Sequence, residues 1–283
     1  MKRKSIIVAA FALFATGVAY ADPVTLYTKS TIMPSSQYFY LNSEVWTNSA
    51  GETVSWDAYN DGNAIACFQN TGYSASSFNM YDPAEPFQAY GLVVNYSGTW
   101  IFWDLRGKNA YLKIGAGGID VKRSRFFFGY DDKTELQLTA NQTWTGSGTS
   151  TSYERYFSVG GITGNTRYTK LVANEGVTSL AVNGKLHAAL YSPDNQLGNV
   201  TVTVSDSAKL WLIDMADARL NAKKLVMDGD GVHMPFGSTF PVKAWFYPVA
   251  NAYYPTNIVA IDNFHLAPEV ELANGADLSA KGG

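Results

Sequence analysis

The sequence predicts an all-β protein and, within that class, a right-handed parallel β-helix, a solenoid built from stacked coils of short strands. The composition favours strands, because 25 Gly, 18 Tyr and 15 Phe accompany many Thr, Ser, Asn and Val residues. Apolar segments of four to six residues alternate with short turns rich in Asn, Asp, Gly and Ser. A β-sandwich or jelly roll also uses many short strands, and it is the alternative fold.

A strand–turn–strand unit recurs within the chain. Residues 200–212, VTVTVSDSAKLWL, align with residues 268–280, PEVELANGADLSA, when Val202 is placed on Val270. A single coil cannot bury its inward face alone, whereas stacked coils bury a continuous stripe and pair each strand with its copy in the next coil. We therefore expect both segments to form the same corner of a stacked coil.

The recurrence has a spacing of about 20 residues, which is typical of solenoids. Val182 and Val204 are 22 residues apart, and Leu186 and Leu210 are 24 residues apart. Apolar and polar residues alternate within these units, as they do in strands with one buried side. The residues expected to point inward are Val202, Val204, Leu210, Leu212, Val270, Leu272, Leu278 and Ala280, and those expected to face water are Thr203, Lys209, Glu271 and Asp277.

Strands are predicted along the whole chain. In the first half they fall in VTLYT, YFYLNSEVW, NAIACF, GLVVNYSGTWIFWDL and NAYLKIGAGGIDV. In the second half they also fall in ELQLTANQTWTG, RYFSVGGITG, YTKLVANEGVTSLAVNGKLHAAL, AKKLVMDGDGVHM and NIVAIDNFHLA. The segment LIDMADARLNAKKLVM could form a helix, but Leu220, Leu225 and Met227 do not share one helical face, so strands are the better interpretation.

Residues 1–21 have the organisation of a secretory signal peptide. Residues 2–4 are basic, an apolar run of 13 residues follows, and residues 19–21 read AYA, with small residues before the cleavage site. The apolar run is shorter than the roughly 20 residues that span a bilayer. We expect export, with cleavage between Ala21 and Asp22, and no transmembrane segment in the mature chain.

The mature chain is acidic. Without residues 1–21 it carries 18 basic and 24 acidic residues, a formal charge of −6. Nucleic acids and anionic membranes bind basic surfaces, so neither is expected as a partner. The single cysteine, Cys67, lies in an apolar run and is expected to be a buried small hydrophobic residue. Packing and hydrogen bonds therefore have to stabilise the fold without internal disulfides.

Five segments occur in a specific order: KIGAGGIDV, LQLTANQTWTG, FSVGGITG, TKLVANEGVTSLAVNGK and LGNVTVTVSDSAKLWL. The series resembles the autotransporter-associated β-strand repeat proteins of Gram-negative bacteria, over about residues 110–212. The matching residues are Gln142, Thr143, Trp144, Val159, Gly161, Ile162, Gly164, Leu171, Gly176, Thr178, Leu180, Gly184, Val202, Val204, Ala208, Leu210 and Leu212. The resemblance implies a passenger-like β-solenoid that is secreted or displayed at the outer cell surface.

The chain departs from this family pattern at three places. Residues 172–174 replace a Gly-rich turn, and LHAALYSPDNQLG stands where a longer element usually follows the strand pair. Members often end in a membrane domain or a sorting signal, whereas this chain ends in ANGADLSAKGG, in the middle of the repeat pattern. We expect either a released protein or a piece of a longer one.

No catalytic residue, cofactor site or metal site is predicted. A metal site needs three or four ligands, and His187, His233 and His265 have no second His or Cys nearby, so they are expected to have structural or surface roles. The sequence DGDG at residues 228–231 is expected to be a tight turn, because a calcium loop would place Thr239 at its acidic twelfth position.

Polysaccharide-degrading β-helices use clustered acidic and basic side chains, and the best local candidates are Asp214, Asp217 and Arg219. Asp214 and Arg219 differ in strand parity, so a solvated face is the expected role of these residues.

The segment 235–256 interrupts the strand pattern with Pro241, Pro248 and Pro255. Its aromatic residues could present rings to a glycan or a partner protein, or they could pack back onto the solenoid. The candidate contact residues are Trp245, Phe246, Tyr247, Tyr253 and Tyr254.

These observations predict a signal peptide at 1–21, a β-rich capping region at 22–109 and solenoid repeats at 110–283. The predicted function is that of a structural or adhesive surface protein without catalysis, with a glycan or another surface protein as partner. The alternative is a glycan-binding or polysaccharide-degrading β-helix.

Overall fold

The computed structural model shows an all-β protein with mostly parallel strands. The described residues are 22–29, 38–40, 44–69, 75–79, 86–95, 100–103, 110–123, 125–128, 134–148, 155–159, 170–190, 195–206, 208–212, 217–228, 263–265 and 269–273. The first strands are β1 (Val24–Thr28), β2 (Tyr38–Tyr40), β3 (Trp46–Thr47), β4 (Thr53–Val54), β5 (Ala64–Gln69), β6 (Ala75–Asn79), β7 (Phe87–Asn95) and β8 (Trp100–Trp103). A short 3-10 helix at Trp56–Tyr59 precedes β5.

The following strands are β9 (Ala110–Arg123), β10 (Arg125–Phe128), β11 (Thr134–Leu138), β12 (Gln142–Gly146), β13 (Arg155–Val159), β14 (Lys170–Ala173), β15 (Ser179–Gly184) and β16 (Leu186–Leu190). The last ones described are β17 (Asn195–Gln196), β18 (Thr201–Ser205), β19 (Lys209–Leu212), β20 (Asp217–Arg219), β21 (Lys224–Asp228), β22 (Asn263–His265) and β23 (Glu269–Ala273).

The described strands form three sheets. The largest has the order β23-β21-β18-β15-β12-β9-β7-β5-β1-β3-β4, with β11, β14 and β17 as a branch beside β9. The second has the order β19-β16-β13-β10-β8-β6-β2, and β20 pairs with β22. Within the described part of the chain, only the pairs β1–β3 and β3–β4 are antiparallel. A β-sandwich of the expected alternative kind would instead be antiparallel.

Strand β9 divides the largest sheet into two branches. Its residues 110–114 pair with β11, and residues 119–120 pair with β12. The first branch contains β11, β14 and β17, and the second contains β12, β15 and β18. Beyond β9 the chain forms one strand in the first branch, one in the second branch and one in the second sheet. It repeats this order three times, as β11-β12-β13, β14-β15-β16 and β17-β18-β19. Each strand pairs in parallel with its counterpart from the next visit.

Glycines lie where β9 is irregular, at a shift in its register with β7 between Ala89 and Gly91. Gly118 has φ +59°, and a Cβ at this position would lie 2.0 Å from the carbonyl oxygen of Thr143. A Cβ on Gly91, in the neighbouring strand β7, would lie 2.8 Å from the backbone of Gly117. The backbones therefore approach each other too closely for any side chain at these positions, and the sequence element IGAGGI lies within the single strand β9.

The core runs along the inner side of these strands. One row of register partners crosses nine strands from β1 to β23: Leu26, Ala66, Leu92, Ile119, Trp144, Val182, Val204, Met227 and Leu272. The first eight of these side chains are buried. An aromatic contact links the two larger sheets, since Trp144 of the first meets Phe157 of the second edge-on at 5.0 Å. Within the second sheet, the rings of Phe126 and Phe157 stack at 5.6 Å.

The antiparallel strands β3 and β4 lie at the edge of the large sheet beside β1. Trp46 is fully buried there, 4.9 Å from Trp56, which itself stacks on Phe87 at 4.3 Å. An open parallel edge exposes unpaired backbone groups, so this small hairpin covers one such edge. The large sheet continues from β7 to β9, across the position where repeats are predicted to begin.

The first strands of the two recurring segments, β18 and β23, lie in one register, as expected. Val202 pairs with Leu225, and Leu225 pairs with Val270, so the two copies of the unit are separated by β21. Val202, Val204 and Leu210 are buried, and Val270 packs on the core while partly exposed. Glu271 is exposed and Thr203 is half-buried. The side chains of Leu212, Leu272 and Lys209 lie outside the description, as do Asp277, Leu278 and Ala280.

One predicted equivalence is wrong by two residues. Leu210 pairs with Ala188 and not with Leu186, which gives the second sheet the same 22-residue spacing as the pair Val182 and Val204. The error arose because both residues point inward on the same strand, and strand alternation does not distinguish positions two residues apart. The segment expected to form strands and not a helix contains β20 and β21, as predicted.

Candidate binding face

The first branch of the large sheet presents a row of polar side chains on its outer side. On its inner side, Phe87, Leu112, Leu136 and Leu171 are register partners and are buried. The next residue of each strand points the other way, because side chains alternate across a strand. The resulting outer row is Gln88, Lys113, Gln137, Val172 and Gln196 on strands β7, β9, β11, β14 and β17.

A second outer row lies two residues earlier on three of these strands. Tyr111 pairs with Glu135, and Glu135 pairs with Lys170. Tyr111 is 37% exposed, and it is one of only two exposed large hydrophobic residues in the described part of the chain. The two rows together, Gln88, Tyr111, Lys113, Glu135, Gln137, Lys170, Val172 and Gln196, are called the amide–lysine face below.

Hydrogen bonds hold parts of this face in place. The backbone N–H of Gln88 donates to Oδ1 of Asn60 at 2.7 Å, and its side-chain Nε2 donates to the Asn60 carbonyl at 3.3 Å. The Nε2 of Gln137 donates to Oε1 of Glu135 at 2.5 Å. Because β7, β9 and β11 are each paired on both sides and packed on the core, these side chains project from a rigid surface.

A buried amide lies beneath the far end of the face. Asn195 pairs with Leu171 and is 1% exposed, so it continues an otherwise apolar inner row. Its Oδ1 accepts a hydrogen bond from the backbone N–H of Asn221 at 2.6 Å, and its carbonyl accepts one from Nδ2 of Asn221 at 2.9 Å. The side chain of Asn195 thus supplies the acceptor that the backbone N–H of Asn221 needs in the turn before β21.

The outer side of the second branch has a different character. One of its register rows consists of Thr143, Ala181, Thr203, Val226 and Glu271, without an amide or a lysine. Near its end, Nζ of Lys224 lies 2.7 Å from a Glu269 carboxylate oxygen and 2.6 Å from one of Glu271. Hydrogen bonding to Lys224 lowers the pKa of Glu269, and hydrogen bonding to the two glutamates raises the pKa of Lys224.

The predicted aromatic contact residues Trp245, Phe246, Tyr247, Tyr253 and Tyr254 lie outside the described residues, as does the whole segment 235–256. Ala21 also lies outside them, and Asp22 is the first described residue. These predictions stay untested.

Two of the three histidines lie on described strands, in different sheets. His187 is half-buried on β16, whereas His233 lies outside the description. His265 on β22 is the register partner of Arg219 on β20. Asp217 lies two residues before Arg219 on the same strand, and Asp214 is outside the description. Among the residues that the structure describes, no three His, Cys, Asp or Glu side chains form a group able to hold a metal ion.

Cys67 is buried, as predicted, with 7% of its surface exposed. Burial raises the pKa of its thiol to about 11. A thiol with this pKa is almost entirely protonated at neutral pH and is a poor nucleophile.

The amide–lysine face was not predicted, although its signal is present in the sequence. A polar residue between apolar neighbours occurs in Phe87–Ala89, Leu112–Ile114 and Leu136–Leu138. Alternation alone places such residues outside a strand but does not say which strands are neighbours. The register supplied that information.

The chain matches no protein-family model, no curated protein and no solved structure. None of the helices in the described regions is long and apolar enough to cross a membrane.

Proposed function

We propose that the chain is a right-handed parallel β-solenoid that serves as a structural or adhesive protein at the outer cell surface. The observation that carries the fold is the repeated visiting order, in which three successive passes each add one strand to the same three stacks. A coil that adds one strand per stack produces this order. Parallel connections of this kind are almost always right-handed, which is the reason for the proposed hand.

The adhesive role is supported by the combination of a stiff scaffold with regular outer faces. Each coil packs on its neighbours through the buried inner rows, so the outer side chains recur in lines along the stack. The signal-peptide pattern and the resemblance to autotransporter-associated repeats support display outside the cell. Catalysis is not part of this proposal.

The experiment for location is expression of the full chain in a Gram-negative host, followed by fractionation and N-terminal sequencing. We expect a mature protein that begins at Asp22 in the medium or on the surface. A cytoplasmic protein that retains Met1 and Lys2 would refute the surface role.

The experiment for adhesion uses beads coated with the purified protein from residue 22 onward, tested for retention on polysaccharide-coated and protein-coated wells. Beads coated with heat-unfolded protein are the control. Retention of only the folded protein is expected, and equal retention of both preparations would remove the adhesive role.

Glycan recognition is the second candidate, and the exposed ring of Tyr111 beside amide and charged side chains favours it. A glycan array probed with the purified protein tests it, with Trp245→Ala alongside to examine the aromatic segment. Release of new reducing ends from a bound polysaccharide would instead favour the polysaccharide-degrading alternative.

A further inference from the structure

The first half of β7 forms an edge of the large sheet, at the end that contains β1. Phe87, Gln88 and Ala89 pair with β9 on one side. Strand β5 pairs with β7 only from Gly91 onward, so no described strand lies on the other side of these three residues. Such an edge offers backbone N–H and C=O groups to a further strand. These groups therefore need other partners.

The side chain of Asn60 supplies most of these partners. Its Oδ1 accepts hydrogen bonds from the backbone N–H of Gln88 at 2.7 Å and from Nε1 of Trp56 at 3.1 Å. Its Nδ2 donates to the carbonyl oxygen of Pro86 at 3.0 Å. The Nε1 of Trp56 also donates to the carbonyl oxygen of Gln88 at 3.3 Å. Because an amide side chain carries the donor and acceptor of a peptide group, Asn60 and Trp56 take the bonding positions of a next strand without continuing the sheet.

Apolar packing fixes these two residues against the edge. Trp56 is buried, and its ring stacks on Phe87 at 4.3 Å. The ring of Trp46, on β3, lies 4.9 Å from the ring of Trp56 and 5.5 Å from that of Phe68. The hairpin β3–β4 and the 3-10 helix thus share one buried cluster, and the segment that contains both, residues 44–63, is called the end cap below.

The hairpin of the end cap covers the edge of β1. Strand β3 pairs antiparallel with β1, and β4, only two residues long, pairs with β3. Asn48 holds the turn between them, since its Oδ1 accepts from the backbone N–H groups of Ala50 and Glu52, each at 3.0 Å. Its Nδ2 donates to Oε2 of Glu52 at 2.8 Å. A very short edge strand beside an exposed charge is a poor template for pairing with another chain.

The opposite end of the large sheet is different in the part of the chain that the structure describes. There β23 is the last strand, has five residues and pairs only with β21, in parallel. Because the stack is parallel, this end has the strand polarity to accept the β1 and β7 edges of a second copy. Such a head-to-tail contact does not close on itself, and its repetition produces filaments.

We propose that the end cap keeps copies of the protein from stacking head to tail. It occupies the edges with which the β23 end of a second copy would otherwise pair, Asn60 at the edge of β7 and the hairpin at the edge of β1. This role concerns assembly. It goes beyond the proposed surface role and does not depend on adhesion.

The test compares purified protein from residue 22 onward with three variants, by sedimentation velocity over a range of concentrations. Asn60→Ala removes the side-chain partners of Gln88 and Pro86. Replacement of residues 44–63 by a Gly-Ser segment of equal length removes the whole end cap. Asn63→Ala is the matched control, because Asn63 is exposed and its side-chain amide donates to Asp61 within its own turn.

The wild-type protein and Asn63→Ala are expected to stay monomeric at every concentration. Asn60→Ala should reach about twice the monomer mass or more as its concentration rises, because its β7 edge is open to a second copy. The protein with the replaced segment should form filaments one molecule wide in negative-stain electron microscopy. Far-UV circular dichroism measures the strand content of each variant.

The wild-type protein also serves as a chain terminator. It presents its β23 end but covers the opposite end, so it should add to one end of an assembly and stop further growth. An excess of wild-type protein should therefore shorten the assemblies of both variants, whereas an unrelated protein at the same concentration should not.

The inference would be overturned if Asn60→Ala and the protein with the replaced segment were both folded and monomeric. Equal self-association of the wild-type protein or of Asn63→Ala would also overturn it. Aggregates that excess wild-type protein leaves unchanged would do so too, because they would arise from exposed apolar side chains and not from strand edges. Loss of strand content in both variants would show that residues 44–63 are required for folding and are not a cover. Adhesion is measured separately by the coated-bead assay, so its failure is distinguishable from all of these results.

Discussion

Trp144 offers the sharpest test of the packed interior. Its side chain has no exposed surface, lies in the inner row between Ile119 and Val182, and contacts the ring of Phe157 at 5.0 Å. Its Nε1 donates to Oε1 of Gln142 at 3.0 Å. We expect Trp144→Ala to lower the free energy of unfolding by about 4–5 kcal/mol, the upper part of the range for large-to-small aromatic substitutions.

The smaller change Trp144→Phe separates packing from hydrogen bonding. It keeps an aromatic contact with Phe157 but leaves Oε1 of the buried Gln142 without its indole donor, which should cost about 1–3 kcal/mol. Thr143→Ala is the matched control, because Thr143 is the exposed neighbour on the same strand and should change stability by less than about 0.5 kcal/mol. Urea denaturation followed by far-UV circular dichroism gives all three values. A cost below about 1 kcal/mol for Trp144→Ala, or an equal cost for Thr143→Ala, would refute the predicted inward orientation.

Three further predictions concern single positions. Gly118→Ala should prevent folding, because its Cβ would lie 2.0 Å from a backbone oxygen. Gly51 also has a positive φ, +80°, but no atom lies within 4 Å of a Cβ there. Gly51→Ala should therefore lower the free energy of unfolding by only about 1–2 kcal/mol in the same denaturation assay, through backbone strain. Lys224→Met should speed hydrogen exchange in β23, because it removes the ion pair with Glu269. Acid should have the same effect on the native protein. The pKa of Glu269 is lowered in the folded state, so its contribution to stability is present above its unfolded pKa and is lost as the carboxylate becomes protonated. Exchange in β23 that is insensitive to both changes would contradict this. Cys67 should react with iodoacetamide at pH 8 far more slowly in the native protein than in urea, because its thiol is buried with a pKa of about 11; equal rates would show that the site is open.

The sequence was most informative where apolar and polar residues alternate within one strand. The burial of Val202, Val204 and Leu210 and the exposure of Glu271 followed from alternation alone. The 22-residue spacing of Val182 and Val204 also corresponds to a true register pair. Such patterns are local, because the two sides of a strand are distinguished by neighbouring residues.

The sequence was less informative about which strands become neighbours. Alternation allowed Leu186 to be matched with Leu210, where the structure pairs Ala188 instead. The separate branch formed by β11, β14 and β17 was not predicted, because the chain segments that join its strands to the next ones differ in length. The need for glycine at position 118 comes from the close approach of the Thr143 backbone on another strand, β12.

By itself, the sequence determined the all-β class, the inward side of Val202, Val204 and Leu210 and the burial of Cys67. Only the tertiary structure decided the parallel partners and brought Gln88, Lys113, Gln137, Val172 and Gln196 into one outer row. The physical reason is that orientation within a strand is a property of neighbouring residues. Register between strands is instead a property of distant segments that meet only when the shared core is packed.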